Sequence, residues 1–197
     1  MNKLNDSLVE RENKKDKADL RFTMWIGIGM VVLFAIFFLF TNVLLLVQVD
    51  GGSMENTLYS GEGVFVNRYA RIDRGDIVVI ERGDHLVIKR VIAMEGDTVR
   101  IEGGKVYLTQ KGKKEVELKE DYLKRQNFTF TEKGKSHWTV GENQIFYLGD
   151  NREVSLDSRK NGCCSLDDVV GEVGNFALSI KSVTTKLANI FGEKAKS

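Results

Sequence analysis

From Phe22 to Val49 the chain carries no Asp, Glu, Lys or Arg and reads FTMWIGIGMVVLFAIFFLFTNVLLLVQV. Wound as a helix, this run would extend roughly 40 Å against a hydrocarbon core of about 30 Å, so a tilted transmembrane anchor over residues 22–49 is expected. The rival reading is a cleaved secretory leader, whose apolar part spans about 7 to 15 residues and ends in a small-x-small site. No Ala-x-Ala precedes Ser53. Lys3, Arg11, Lys14, Lys15, Lys17 and Arg21 lie before the run, and only Arg68 lies in the twenty residues after it. That bias places the N-terminus in the cytoplasm and everything beyond Val49 outside, in a single-pass topology. Residues 1–21 read as a solvated cytoplasmic tail.

The remaining length suffices for one compact domain, expected over residues 50–182. The balance of 29 basic and 28 acidic residues shows no nucleic-acid footprint. Short β-rich runs, GVFVN (63–67), DIVVIE (76–81), LVIKRVIAM (86–94), TVRI (98–101), KVYL (105–108), EVEL (115–118), QIFYLG (144–149) and VVGEVGNFAL (169–178), are separated by Gly, Asp and Asn. This is the pattern of a mainly β fold, a sandwich or barrel-like sheet. Residues 110–143 are more polar and read as an extension, or simply a solvated hairpin. In residues 183–197, Val183, Leu187 and Ile190 continue a helical spacing from Ile180, which fits an amphipathic surface helix or a frayed end.

The chemistry is sparse. His85 sits in a turn and His137 in the polar extension, so a histidine-based triad has poor candidates. There is no HExxH and no CxxC pair, and neither metal nor cofactor is expected. Cys163 and Cys164 are adjacent, where a bridge would be strained, and read as strand residues facing opposite ways. A serine would then need a lysine as base. Holding an amine neutral at pH 7 against a reference pKa near 10.4 requires about 4 to 5 kcal/mol from its surroundings. Lys89, between Val87, Ile88, Val91 and Ile92, is the lysine with the driest neighbours. On periodicity alone, Lys89 reads first as an outward residue of a half-buried strand, and a Gly-Ser-Met tripeptide fits an ordinary loop.

Several pieces occurring in order carry more weight. A span followed by GSMENTL, then RGDIVV (74–79), KRVIAMEGD (89–97) and LGDNREVSLDSR (148–159), resembles the type I signal peptidases, membrane-anchored Ser/Lys endopeptidases. The resemblance covers about residues 20 to 175, and the last motif is its most specific part. It implies a signal-peptidase-like β domain that cuts signal peptides from exported preproteins at a bacterial cell membrane, with the lipid bilayer as its other partner. Ser53 would be the nucleophile and Lys89 the general base. Ser155 would orient the lysine, Asp157 and Arg159 would brace the site, and Asp150, with Gly149, Asn151 and Arg152, would build the neighbouring turn. Gly52, Met54, Leu86, Val87 and Ile88 are the expected substrate wall, against which an extended peptide adds as a strand.

Three departures stand out. Gly51 occupies a position where some members carry a serine that helps bind the oxyanion, and Asn56 and Glu95 stand where the family usually has proline. This chain has no proline at all. Asn56 is expected to make an Asx-type turn instead. A dedicated or non-catalytic pilus-assembly-type relative would bind without cutting, and the self-cleaving repressors would need a DNA-binding module. Arg74-Gly75-Asp76 and Arg82-Gly83-Asp84 spell an adhesion motif but also read as turns. Oligomeric state and the breadth of substrates are not legible.

Overall fold

The computed structural model describes residues 2–123, 128–132 and 134–196. Two compact units divide at Val43 and Leu44. The first is one helix, α1 (Asn2–Asn42), whose apolar side chains from Leu20 to Leu39 are exposed; residues Asp19–Leu39 are long and apolar enough to cross a membrane. An all-round apolar, outward-facing helix is what lipid accepts and water does not.

The expected span to Val49 is corrected here. The helix stops at Asn42, and Leu44–Asp50 forms a strand, β1, with Leu45, Val47 and Val49 turned inward. Leu44 to Val47 are all apolar, so the two-residue period of a strand cannot be seen in residue type. Ser53 therefore follows the helix by eleven residues rather than four past the span.

The second unit is mainly β, as expected. Its strands are β1, β2 (Gly63–Asn67), β3 (Ile77–Arg82), β4 (His85–Met94), β5 (Thr98–Glu102), β6 (Lys105–Thr109), β7 (Val116–Glu117), β8 (His137–Thr139), β9 (Gln144–Leu148), β10 (Cys164–Ser165), β11 (Val169–Glu172) and β12 (Glu193–Lys196). Short helices α2 (Ser158–Asn161) and α3 (Asn175–Ser179) and the longer α4 (Lys181–Phe191) complete it. The larger sheet runs β10-β9-β4-β12-β1-β2-β11-β3, and β3 pairs again with β4, so six of its strands close a ring. Inside lie Val47, Val49, Met54, Leu58, Val64, Val66, Val79 and Ile88, one continuous apolar cluster. The smaller antiparallel sheet, β7-β6-β5-β8, packs Val99, Ile101, Val106 and Leu108 onto Ile92, Phe146 and Leu148.

β4 joins the two halves. One edge pairs with β3 over His85 to Arg90; the other pairs with β12 at Leu86 and Val87 and with β9 from Arg90 onward. Ile88 and Lys89 thus lie between the ends of β12 and β9 on that edge.

Two further expectations change. The polar extension is no free hairpin: β7 and β8 are the outer strands of the small sheet, and Glu120, Thr129 and the Phe130 carbonyl bind buried arginines. Residues 124–127 and 133 of it lie outside the described residues. The C-terminal segment is neither frayed nor only a surface helix. α4 packs on β2 through Thr184 and Ala188, and a Cβ at Gly63 would come 2.6 Å from Ala188 Cβ, so the close approach depends on glycine. Its expected stripe, Val183, Leu187 and Ile190, faces outward with Phe191. β12 then enters the main sheet. Cys164 is buried beside Val78, Ile80 and Tyr147, while Cys163 packs on the other cluster; both are free thiols.

Candidate active site

Ser53 lies in the turn that follows β1, beyond Gly51, whose φ of 104° allows the strand to break sharply. Met54 and Leu58 anchor that turn in the barrel core, and the Leu58 N–H donates to the Met54 carbonyl at 2.9 Å. From the other side the Asn151 N–H donates to the Ser53 carbonyl at 2.8 Å, and Asn151 Nδ2 donates to the Gly52 carbonyl at 3.1 Å. The serine is thus pinned by core packing below and by the 149–152 turn above. A Cβ at Gly149 would come within 2.6 Å of the Ser53 carbonyl oxygen, so only glycine permits this approach.

Lys89 reaches Ser53 from β4. Its Nζ lies 2.6 Å from Ser53 Oγ and donates to the Ile88 carbonyl at 2.9 Å. Ser53 is 4% exposed and Lys89 3%. Burial pushes the lysine pKa down to about 8, against the opposing pull of the Asp157 and Asp150 charges. About a tenth of the amines are then neutral at pH 7, and a neutral amine can accept the hydroxyl proton across the same contact.

Around the pair, carboxylates and arginines tie the chain segments together. Asp150 accepts both forks of Arg90 (2.8 and 2.6 Å) and the Thr57 hydroxyl, linking β4 to the serine turn. Asp157 caps α2, accepts from the Gly149 N–H at 3.1 Å and pairs with Arg159. Arg159 continues to the carbonyls of Arg152 and Phe130. Arg152, fully enclosed, holds the Gly149 carbonyl and both oxygens of Glu120. These groups shape the turn, while Lys89 Nζ is the group held against Ser53 Oγ.

The expected role of Ser155 is not what this arrangement shows. Its hydroxyl has no hydrogen-bond partner among the described residues, and the Asn151–Ser155 turn holds it against Gly149, while Lys89 is oriented by the Ile88 carbonyl and Ser53. Of the expected substrate wall, Val87 lines a cleft of about 540 Å³ that also exposes Ser53 and Lys89, between apolar Val154 and Leu156 and polar Arg82 and Tyr147. Gly52 offers its carbonyl to Asn151. Met54 and Ile88 are enclosed in the barrel core, with Leu86 packed against it. Asn56 adopts φ 89°, which no proline can, and its side chain reaches the Tyr122 carbonyl (3.4 Å) rather than its own turn.

Sequence reasoning missed Arg90, Thr57 and Glu120. The only visible signal was the Lys-Arg pair, which a strand turns to opposite faces. Both adhesion-like arginines are engaged internally, Arg74 by Asp97 (2.6 and 2.9 Å) and Arg82 by Tyr147.

A β barrel that holds a serine against a buried lysine, in a chain with a membrane-length N-terminal helix, defines a membrane-anchored serine peptidase. The family model "Signal peptidase, peptidase S26" matches residues 22–177, and the chain belongs to that family. It is 36% identical over 160 residues to signal peptidase I of Streptococcus pneumoniae TIGR4, covering 64% of this chain and 78% of that protein. It is 39% identical over 122 residues to signal peptidase I S of Bacillus subtilis 168, covering 56% of this chain and 64% of that one. The crystal structure of a signal peptidase I from Enterococcus faecalis V583 aligns with a TM-score of 0.44 at 32% identity, covering 53% of this chain and 98% of that chain.

Proposed function

We propose that this chain is a membrane-bound signal peptidase I that cleaves N-terminal signal peptides from exported preproteins, with Ser53 as nucleophile and Lys89 as general base. The observation that carries the assignment of roles is the 2.6 Å contact between Ser53 Oγ and a lysine Nζ that burial holds near pKa 8. Neutral Lys89 removes the Ser53 proton as Oγ attacks the scissile carbonyl. The backbone N–H of Ser53 is the donor proposed to face the oxyanion, since such a donor must meet charge that appears only in the transition state. Lysinium then protonates the leaving amine, and an ester on Ser53 remains. Lys89, neutral again, activates the water that hydrolyses it.

In this reading α1 anchors the enzyme with its N-terminus in the cytoplasm and the β unit outside a bacterial cell membrane, where substrates also sit in the bilayer. The outward apolar side of α4 (Val183, Leu187, Ile190, Phe191) suits contact with lipid. The test is cleavage of a preprotein with an Ala-x-Ala site by the detergent-solubilised chain. Wild type cuts; Ser53→Ala and Lys89→Ala, shown folded by circular dichroism, do not. Full activity in the Lys89→Ala protein refutes the assignment of the base.

A further inference from the structure

β12 occupies a singular place. It is inserted between β1 and β4 and runs parallel to both, with Val49 and Leu86 opposite Ala195 and with Asp50 and Val87 opposite Lys196. These two strands lead directly to the reacting pair: Ser53 lies three positions beyond Asp50, and Lys89 two positions beyond Val87. At about 3.3 Å per residue, the strand direction carries an occupant of this slot to the Ser53–Lys89 contact within about 7 to 10 Å of Lys196.

An extended peptide whose scissile bond is to reach Ser53 has the same requirement. It must present its residues before the cut to a gap one strand wide, and parallel to β1 and β4, because only then does its C-terminal direction point to the serine. The gap offers backbone groups from both flanking strands, and β12 consumes them. Ala195, fully buried, fills the side-chain position of this slot among Val47, Val49, Met54, Val79 and Ile88. It precedes by three positions the residue that would come level with Lys89. Met54 and Ile88, expected as substrate wall, belong to the same buried apolar cluster as Ala195.

We infer that residues 193–196 are an intramolecular, substrate-like occupant of the peptide slot, so that the enzyme's own tail strand competes with preprotein and must leave before a substrate is cut. The inference rests on the peptidase reading above for what the displaced strand is replaced by. The tether, α4, stays packed on β2 through Thr184 and Ala188, so β12 alone need detach.

The test uses the full chain in detergent and two variants, Ala195→Asp, which puts a charge into the apolar slot, and a deletion of residues 193–197. A slot free one tenth of the time raises the apparent KM about tenfold, so both variants are expected to lower KM by about that factor with kcat unchanged. A synthetic peptide, FGEKAKS, added to the deletion variant should restore the higher KM competitively. In a Ser53→Ala background, binding of a fluorescent Ala-x-Ala peptide should tighten to the same extent on Ala195→Asp. Equal dissociation constants in those two proteins, or a deletion variant with lowered kcat, lowered stability and no competition by the tail peptide, would overturn the inference in favour of a purely structural strand. Tighter peptide binding with no cleavage in any form would instead uphold the tail's role and sink the peptidase reading.

Discussion

Replacing Lys89 by methionine should abolish cleavage while making the β unit more stable at neutral pH and less stable at high pH. In the unfolded chain the amine titrates near 10.5, and in the folded protein near 8, because burial penalises its charged form more than Asp157 and Asp150 favour it. The unfolded state therefore binds more protons across this interval, and stability rises as pH climbs from about 8 to 10.5. Below pH 8 the full penalty stands. A depression of about 2.5 units at 1.36 kcal/mol each makes it about 3 kcal/mol at pH 7, falling below about 0.5 kcal/mol at pH 10.5. Methionine escapes this penalty but forfeits the hydrogen bonds to Ser53 Oγ and the Ile88 carbonyl, about 1 kcal/mol each at every pH. The variant should thus be about 1 kcal/mol more stable than wild type at pH 7, equal near pH 9 and about 1.5 kcal/mol less stable at pH 10.5. Urea unfolding of both proteins in the same detergent, followed by near-ultraviolet circular dichroism at pH 7, 8, 9 and 10.5, measures this difference, and groups common to both cancel. A stability difference that stays flat over that range would refute the claim that a buried, titrating lysine sits beside Ser53.

Three other outcomes follow from the same contacts. In the proposed mechanism the neutral amine is the working form, so kcat/KM should climb about tenfold from pH 7 to pH 9, with unit slope below pH 8; a pH-independent rate between 7 and 9 would exclude Lys89 as base. Gly149→Ala places a methyl 2.6 Å from the Ser53 carbonyl and 2.3 Å from Ser155 Oγ. It should cost about 1 to 3 kcal/mol of stability and a larger share of kcat than of KM, read by thermal unfolding and steady-state kinetics. Glu120→Ala strips the enclosed Arg152 guanidinium of its carboxylate partner, and should destabilise by roughly 3 to 5 kcal/mol, whereas an exposed pair such as Lys119–Asp121 should contribute under about 1 kcal/mol.

The strands bounded by turn residues were the legible ones. Gly63–Asn67 runs from a glycine to a polar turn, and its bounds are visible in residue type alone. β1 was hidden because Leu44, Leu45 and Leu46 are the same residue on both faces, and the apolar run read as helix had no mark at Asn42 strong enough to end it. The candidate site was legible to the extent that its residues sit in contiguous motifs: Ser53 in GSM, Lys89 in a dry strand, Asp157 and Arg159 in the one stretch LGDNREVSLDSR. What was not legible comes from pairings between distant segments. Glu120 looks like any acid in a charged stretch until Arg152 is brought beneath it, and Thr57 like any turn residue until Asp150 meets it. β12 is the extreme case. EKAK has weak strand character and a single small apolar residue, so nothing local makes it a strand. It becomes one because two parallel neighbours supply its hydrogen bonds and the barrel core encloses Ala195. A segment held by its slot rather than by its own propensity is also a segment that another extended chain can replace.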